Sequence, residues 1–314
     1  MDIEKLLVNF SSDTDPNAEF IAGNVYCNDD NMYTLSHVFA CDDNGNYSLD
    51  MNILSDAEEV FVYEPIIISV DNVTEKYSVF SHNDILMIFD LQFVASEFKA
   101  SADKAAVELS KLRKSLLELS SGYEPYANTT FSFIQGSGYT ALAGNPIYVN
   151  VEETSGLINN FSKTDQTIEK NNGLFVLCHE MSHTFDFLEE GKAAGYCFDR
   201  ELFATLKALY ALHDNGYTIS ESLLSDSPPL ASGIYNYEVL IRRFVDELEL
   251  LDGGDWQCIA DTMSELRNDT ELIDGSDKDR FDRFVTVLSE KSGKNIYDIF
   301  SESELKTLNM NFEY

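Results

Sequence analysis

The rhythm of apolar and polar positions changes near residue 95. Before it, short runs rich in Val, Ile, Tyr and Phe are punctuated by Asp, Asn and Gly. Asn31–Cys41, Tyr47–Ile53, Val60–Val70 and Tyr77–Phe80 read as strands, and Asn44-Gly45 is a hairpin signal between the first two. After residue 95, Ala102–Leu119 sets Ala105, Leu109, Leu112 and Leu116 three and four residues apart, which is a helical period. Residues 122–152 return to strand and loop texture, with Gly136-Ser137-Gly138 and then a strand over Pro146–Val151. From residue 173 the period is helical again, over 173–189, 199–213, 236–251, 255–267 and 279–291. No internal repeat is present. The pattern predicts an α+β chain, with a small β-rich domain over residues 1–95 and a larger domain over 96–314.

Composition narrows the function classes. The chain has 314 residues, of which 44% are hydrophobic and 12% aromatic, enough for a sizeable packed core. Apolar stretches such as Ile85–Val94 and Leu174–Cys178 are far shorter than the ~18 residues that suggest a membrane-spanning helix. Lys and Arg number 21 against 55 Asp and Glu, a net charge of −34. Such a field repels phosphate backbones, so no nucleic-acid partner is expected. The five cysteines, Cys27, Cys41, Cys178, Cys197 and Cys258, are odd in number and form no C-x-x-C, so a disulfide framework is not indicated. Residues 1–10 carry acids early and lack a long apolar segment, so no signal peptide is evident. That leaves a cytoplasmic protein, export by a non-standard route, or a signal already removed.

The candidate chemistry lies at His179-Glu180-Met181-Ser182-His183. Histidines at i and i+4 share one helix face, so their rings can converge on one zinc ion. Glu180, next to the first histidine, is placed to take a proton from water rather than to bind metal. Leu174, Leu177, Cys178, Met181, Phe185 and Leu188 form an apolar stripe away from the histidines. Asn171 or Asn172 can cap the start of this metal helix, 173–189, and Gly191 can end it. The plainer reading is an amphipathic helix whose histidines satisfy each other or a carboxylate. The same plain reading holds for His37, His82 and His213, which are isolated, and for Cys178, a small core residue.

A catalytic zinc needs a third protein ligand and an open position. Asp186, Glu189, Glu190, Asp199 and Glu201 are candidates. Glu201 opens the helical pattern 199–213, and Ala204, Thr205 and Ala208 on its face are small enough for close helix approach. Its plain reading is a first-turn acid favoured by the helix dipole.

Three segments together resemble the M60-like peptidase family, which includes viral enhancins and mucin-directed bacterial peptidases. The first is the His179, Glu180, His183 helix followed by Glu201, with seventeen residues between His183 and Glu201. The second is Gly138–Val149, around Ala143-Gly144-Asn145-Pro146-Ile147, and the third is Arg280–Lys294. Ser182 stands where many relatives carry glycine. The resemblance covers roughly residues 97–305. It implies a gluzincin-like catalytic domain with a mixed α/β upper part and a mostly helical lower part. It also implies one Zn2+ per chain on His179, His183 and Glu201, and Glu180 as general base. The implied substrate is a protein or glycoprotein. Tyr196, Tyr210, His213, Tyr235 and Tyr237 are candidates for a second electrophile, and Asp186 for orienting a histidine. A weaker resemblance, to lethal-factor-like toxin metallopeptidases, rests on His179–Asp186 and implies action inside another cell. The remaining alternative is a non-catalytic binding protein whose metal helix is structural or relict.

Overall fold

A computed structural model of the chain describes residues 6–9, 19–22, 24–27, 32–34, 40–41, 47–48, 60–61, 66–70, 73–90, 96–124, 126, 129–135, 139–144, 147–159, 161, 167–170, 172–188, 192–224 and 233–312. Helix and strand are mixed, and the fold is α+β. Two compact units are present, residues 1–111 with 126–164 and residues 112–125 with 165–314. The change of texture at residue 95 marks the approach to the first helix, and the compact units divide at other places.

The first unit is built on one sheet. Its principal strands are β1 (Leu6–Asn9), β2 (Glu19–Ala22), β3 (Ile66–Val70), β4 (Val73–His82), β5 (Ile85–Asp90), β6 (Thr129–Gln135), β7 (Ala141–Leu142) and β8 (Ile147–Asn150). They are ordered β1-β2-β3-β4-β5-β6-β8-β7. Pairing is antiparallel from β1 to β5, parallel through β5-β6-β8, and antiparallel again at β7. The parallel step needs a long crossover, and helix α1 (Ser96–Leu119) supplies it. The register sets Met87 beside Phe131 and Phe89 beside Phe133, all without solvent exposure. Phe98 of α1 meets Phe89 edge-on, with ring centroids 5.0 Å apart. The hairpin from β4 to β5 turns on Asn83, whose φ of 48° suits asparagine. Ala40–Cys41 pairs antiparallel with Tyr47–Ser48, on either side of the Asn44-Gly45 signal. The turn itself lies outside the described residues.

The second unit is mainly helical. The last part of α1 belongs to it, and Leu112 and Leu116 there are fully buried, as the stripe predicts. A short α2 (Thr154–Asn159) belongs to the first unit. The second continues with α3 (Gly173–His183), α4 (Arg200–Asp214), α5 (Glu221–Leu224), α6 (Tyr237–Glu247), α7 (Gln257–Leu266), α8 (Thr270–Ile273), α9 (Asp277–Ser292) and α10 (Glu302–Phe312). Helix ends carry their own signals. Ser276 and Asp279 form a reciprocal capping box on α9, and Gly293 closes that helix at φ 69°. No described helix is long and apolar enough to cross a membrane.

Candidate metal centre

α3 and α4 pack side by side, and each is fixed at its N-terminus by a polar cap. The Asn172 side chain accepts a hydrogen bond from Leu174 N, and the Asp199 side chain accepts one from Leu202 N. Phe198, just before the second cap, is locked in an aromatic cluster. Its ring meets Phe203 at 5.1 Å, Phe281 at 5.2 Å and Phe312 at 5.4 Å, all edge-on. That cluster sets where α4 begins and so where Glu201 stands.

α3 is shorter than the apolar stripe suggests. It ends at His183, and Thr184–Asp186 tightens into a 3-10 turn. The Thr184 hydroxyl donates to Met181 O at 2.7 Å, which draws the last turn inward. Phe187 is then extended and bridges to Ala193. Gly191, Glu189 and Glu190 lie outside the described residues.

The two helices bring three ligand groups together. His179 Nε2 and His183 Nε2 are 3.2 Å apart. Glu201 Oε2 lies 3.1 Å from the first and Oε1 3.5 Å from the second. Among the described residues this is the cluster of His, Cys, Asp and Glu whose ligand atoms all fall within 4.8 Å of one another. A tetrahedral ion with bonds near 2.0–2.1 Å holds two ligand nitrogens about 3.3 Å apart. The donor set therefore fits a zinc-sized ion in spacing and in chemistry.

Protonation states favour the same fit. Burial, followed by the neighbouring His179, pushes His183 down to about 4, so its ring is neutral near pH 7. The hydrogen bond with His179 holds Glu201 below the usual carboxylate range, and it stays ionised. Thr205 Oγ1 lies 3.1 Å from His179 Nδ1. In the metal-free chain Nε2 donates to the Glu201 carboxylate; with an ion on Nε2 the ring proton would sit on Nδ1 and be donated to the Thr205 hydroxyl. Residue spacing places Thr205 on the Glu201 face as a small packing residue and gives no sign of its contact with His179.

Two other third-ligand candidates are committed elsewhere. Asp199 caps α4 and accepts a hydrogen bond from the Tyr235 hydroxyl. Burial raises its pKa, opposed by those hydrogen bonds. Asp186 is buried behind the histidines, where it pairs with Lys207 and accepts from the Tyr196 hydroxyl at 2.8 Å. Arg267 completes this buried group by donating to Phe185 O at 2.8 Å while its guanidinium lies over the Tyr123 ring.

No protein-family model, curated protein or solved structure matches this chain.

The electrophile candidates separate by position. Tyr196 is fully buried with its hydroxyl on Phe185 O and Asp186. Tyr210 packs edge-on against Trp256, Tyr235 is held by Asp199, and His213 lines a different cavity. Tyr237, in the first turn of α6, borders the cavity that also reaches His179 and Glu180. Burial, then Glu238 and Glu201, pushes its phenol up to about 12, so it remains a hydrogen-bond donor at neutral pH.

Proposed function

We propose that the chain is a zinc-dependent endopeptidase that hydrolyses peptide bonds in proteins or glycoproteins. The observation that carries this reading is the convergence of His179, His183 and Glu201 on a common point, with Glu180 adjoining the first of them on the same helix. The substrate class follows from the resemblance to the enhancin-like peptidases.

His179, His183 and Glu201 would hold the ion through two imidazole nitrogens and one carboxylate. When bound there, zinc supplies Lewis-acid polarisation of a carbonyl and acidifies water toward neutral pH. Glu180 takes the proton from the attacking water at its carboxylate and returns it to the departing amine. Tyr237 donates its O–H toward the oxygen on which charge develops. Thr205 keeps the His179 ring in the tautomer that presents Nε2.

The test is Glu180→Gln measured beside the native chain. The variant retains zinc and loses hydrolysis by about 100-fold or more, in line with the loss of a general base. A Glu180→Gln protein that cleaves peptides as fast as native contradicts the role of Glu180.

A further inference from the structure

Two cavities of the second compact unit border the ligand group. One reaches His179 and Glu180. The other, of about 540 Å³, reaches Glu201 and is lined by neither histidine nor by Glu180. α4, α9 and α10 contribute to its wall. Its size falls in the range of about 300 to 1,000 Å³ typical of ligand sites.

Most of the charged lining of this second cavity is already engaged. Arg280 donates to Asp277 at 2.6 Å and to the carbonyls of Leu272 and Ile273 at 2.9 and 2.8 Å. Asp199 accepts from Leu202 N and from the Tyr235 hydroxyl. Glu201 faces His179 and His183. Arg200 is different. Among the described residues it makes no ion pair, in a chain whose net charge is −34.

Arg200 is nonetheless held in place. It is exposed at the first position of α4, and its guanidinium lies over the Phe187 ring, 5.0 Å from the centroid. Phe187 is itself fixed, since it bridges to Ala193 and its carbonyl accepts from the Tyr123 hydroxyl at 2.6 Å. A guanidinium seated on an aromatic ring keeps N–H groups free for a planar acceptor. A carboxylate matches that fork with two parallel hydrogen bonds.

The chemistry of hydrolysis assigns this cavity a side of the cut bond. The water oxygen bonds to the carbonyl carbon, and the C–N bond breaks. The departing nitrogen keeps the bonding pair and takes the proton that Glu180 removed from water. The departing half therefore lies beside Glu180. The acyl half lies toward Glu201, next to which Arg200 stands.

We propose that Arg200 is a specificity-determining residue that binds the side chain immediately before the scissile bond, and that it selects Asp or Glu there. The proposal rests on the peptide-hydrolysis reading and adds a substrate class to it. The net charge of the chain alone would favour basic peptides. A preference for an acid at this one position therefore reports Arg200 and not the general field.

The test has two readouts on the full, zinc-loaded chain. First, a mixed peptide library is digested and cut sites are mapped by mass spectrometry. Cuts after Glu and Asp should exceed cuts after Gln and Asn by about 10- to 100-fold, the worth of a hydrogen bond to a charged group. Arg200→Met should erase this preference, and Arg200→Glu should turn it toward Lys and Arg, while both variants still cut after uncharged residues. Arg200 is exposed, and an acid suits the first turn of a helix, so both variants are expected to fold. Second, saturation-transfer NMR compares binding of the α-methylamides of N-acetylglutamate and N-acetylglutamine, which differ by one side-chain charge. The glutamate compound should bind more tightly, and Arg200→Met should abolish the difference. Hydrolysis with no preference for an acid before the bond, or the same preference in native and Arg200→Met proteins, overturns the role of Arg200 and leaves the peptidase reading standing. Equal binding of the two amides also overturns the role of Arg200. Binding of the glutamate compound through Arg200 with no cleavage of any peptide overturns the peptidase reading, and the substrate assignment with it.

Discussion

Thr205 Oγ1 stands 3.1 Å from His179 Nδ1, one helical turn beyond Glu201, whose carboxylate lies 3.1 Å from Nε2 of the same ring. One helix thus grips both nitrogens of one histidine. Groups that orient a metal-bound histidine typically contribute 10–100-fold to metal affinity. Thr205→Val, which keeps the shape and removes the hydroxyl, should weaken zinc binding by about that factor without unfolding the chain. Thr205→Ser should restore it. Competition against a chromophoric chelator measures both, and equal affinity in native and Thr205→Val proteins would show that the hydroxyl does not orient the ring.

Lys207 and Asp186 form a buried pair, with side chains 0% and 1% exposed. Burial lowers the Lys207 pKa and Asp186 opposes that shift. Removing one partner of such a pair leaves a charge buried alone, at a cost of about 3–5 kcal/mol. Lys207→Met should lower stability by that amount, and Lys207→Met with Asp186→Leu should recover most of it. Denaturant midpoints at constant slope give the comparison. A single variant as stable as native would mean that water reaches the pair.

Gly195 lets the chain between α3 and α4 pass close to the end of α7. A Cβ there would stand 2.3 Å from Leu266 O and 3.2 Å from Asp269 O. Both obstacles are backbone, so neither can swing away. Gly195→Ala should destabilise the fold by about 1–3 kcal/mol, the usual range for overpacking. Thermal unfolding checks this, and an unchanged midpoint contradicts the close approach.

Among the described residues Cys178, Cys197 and Cys258 are buried, and burial raises their thiol pKa values. Cys178 is pushed up to about 12 and Cys258 to about 11, and Cys197 is raised as well. The thiolate is the reactive form. At pH 8 these three should alkylate far more slowly in the folded chain than in denaturant, and folded-state labelling should speed up as pH rises. Peptide mapping after timed alkylation reads each site separately. Rapid labelling of Cys178 in the folded state would contradict the packing of α3.

The contrast between what the sequence reveals and what it hides follows from the range of each interaction. The convergence of His179 and His183 depends on helical spacing four residues apart, and Asn172 caps from one position before α3, so both are local. Glu201 was reachable because small residues on its helix face signalled close packing. Lys207 and Arg267 were not, because an isolated basic residue in a helical pattern reads as solvated. Their burial depends on Asp186 and on the Phe185 carbonyl, brought near by the tertiary fold. The end of α3 at His183 is not legible in the pattern, since one threonine hydroxyl bonding back to Met181 leaves no periodic trace. α10 has no strong apolar stripe, although Leu308 and Phe312 are buried.

His179, His183 and Glu201 are proposed to hold one metal ion together. Metal content by plasma mass spectrometry, on native protein and on His183→Ala and Glu201→Ala variants dialysed after zinc addition, tests it most directly. One zinc per native chain is expected, with loss of bound zinc in both variants while they remain folded by circular dichroism. A native chain without zinc, or folded variants that keep it in full, would contradict the site.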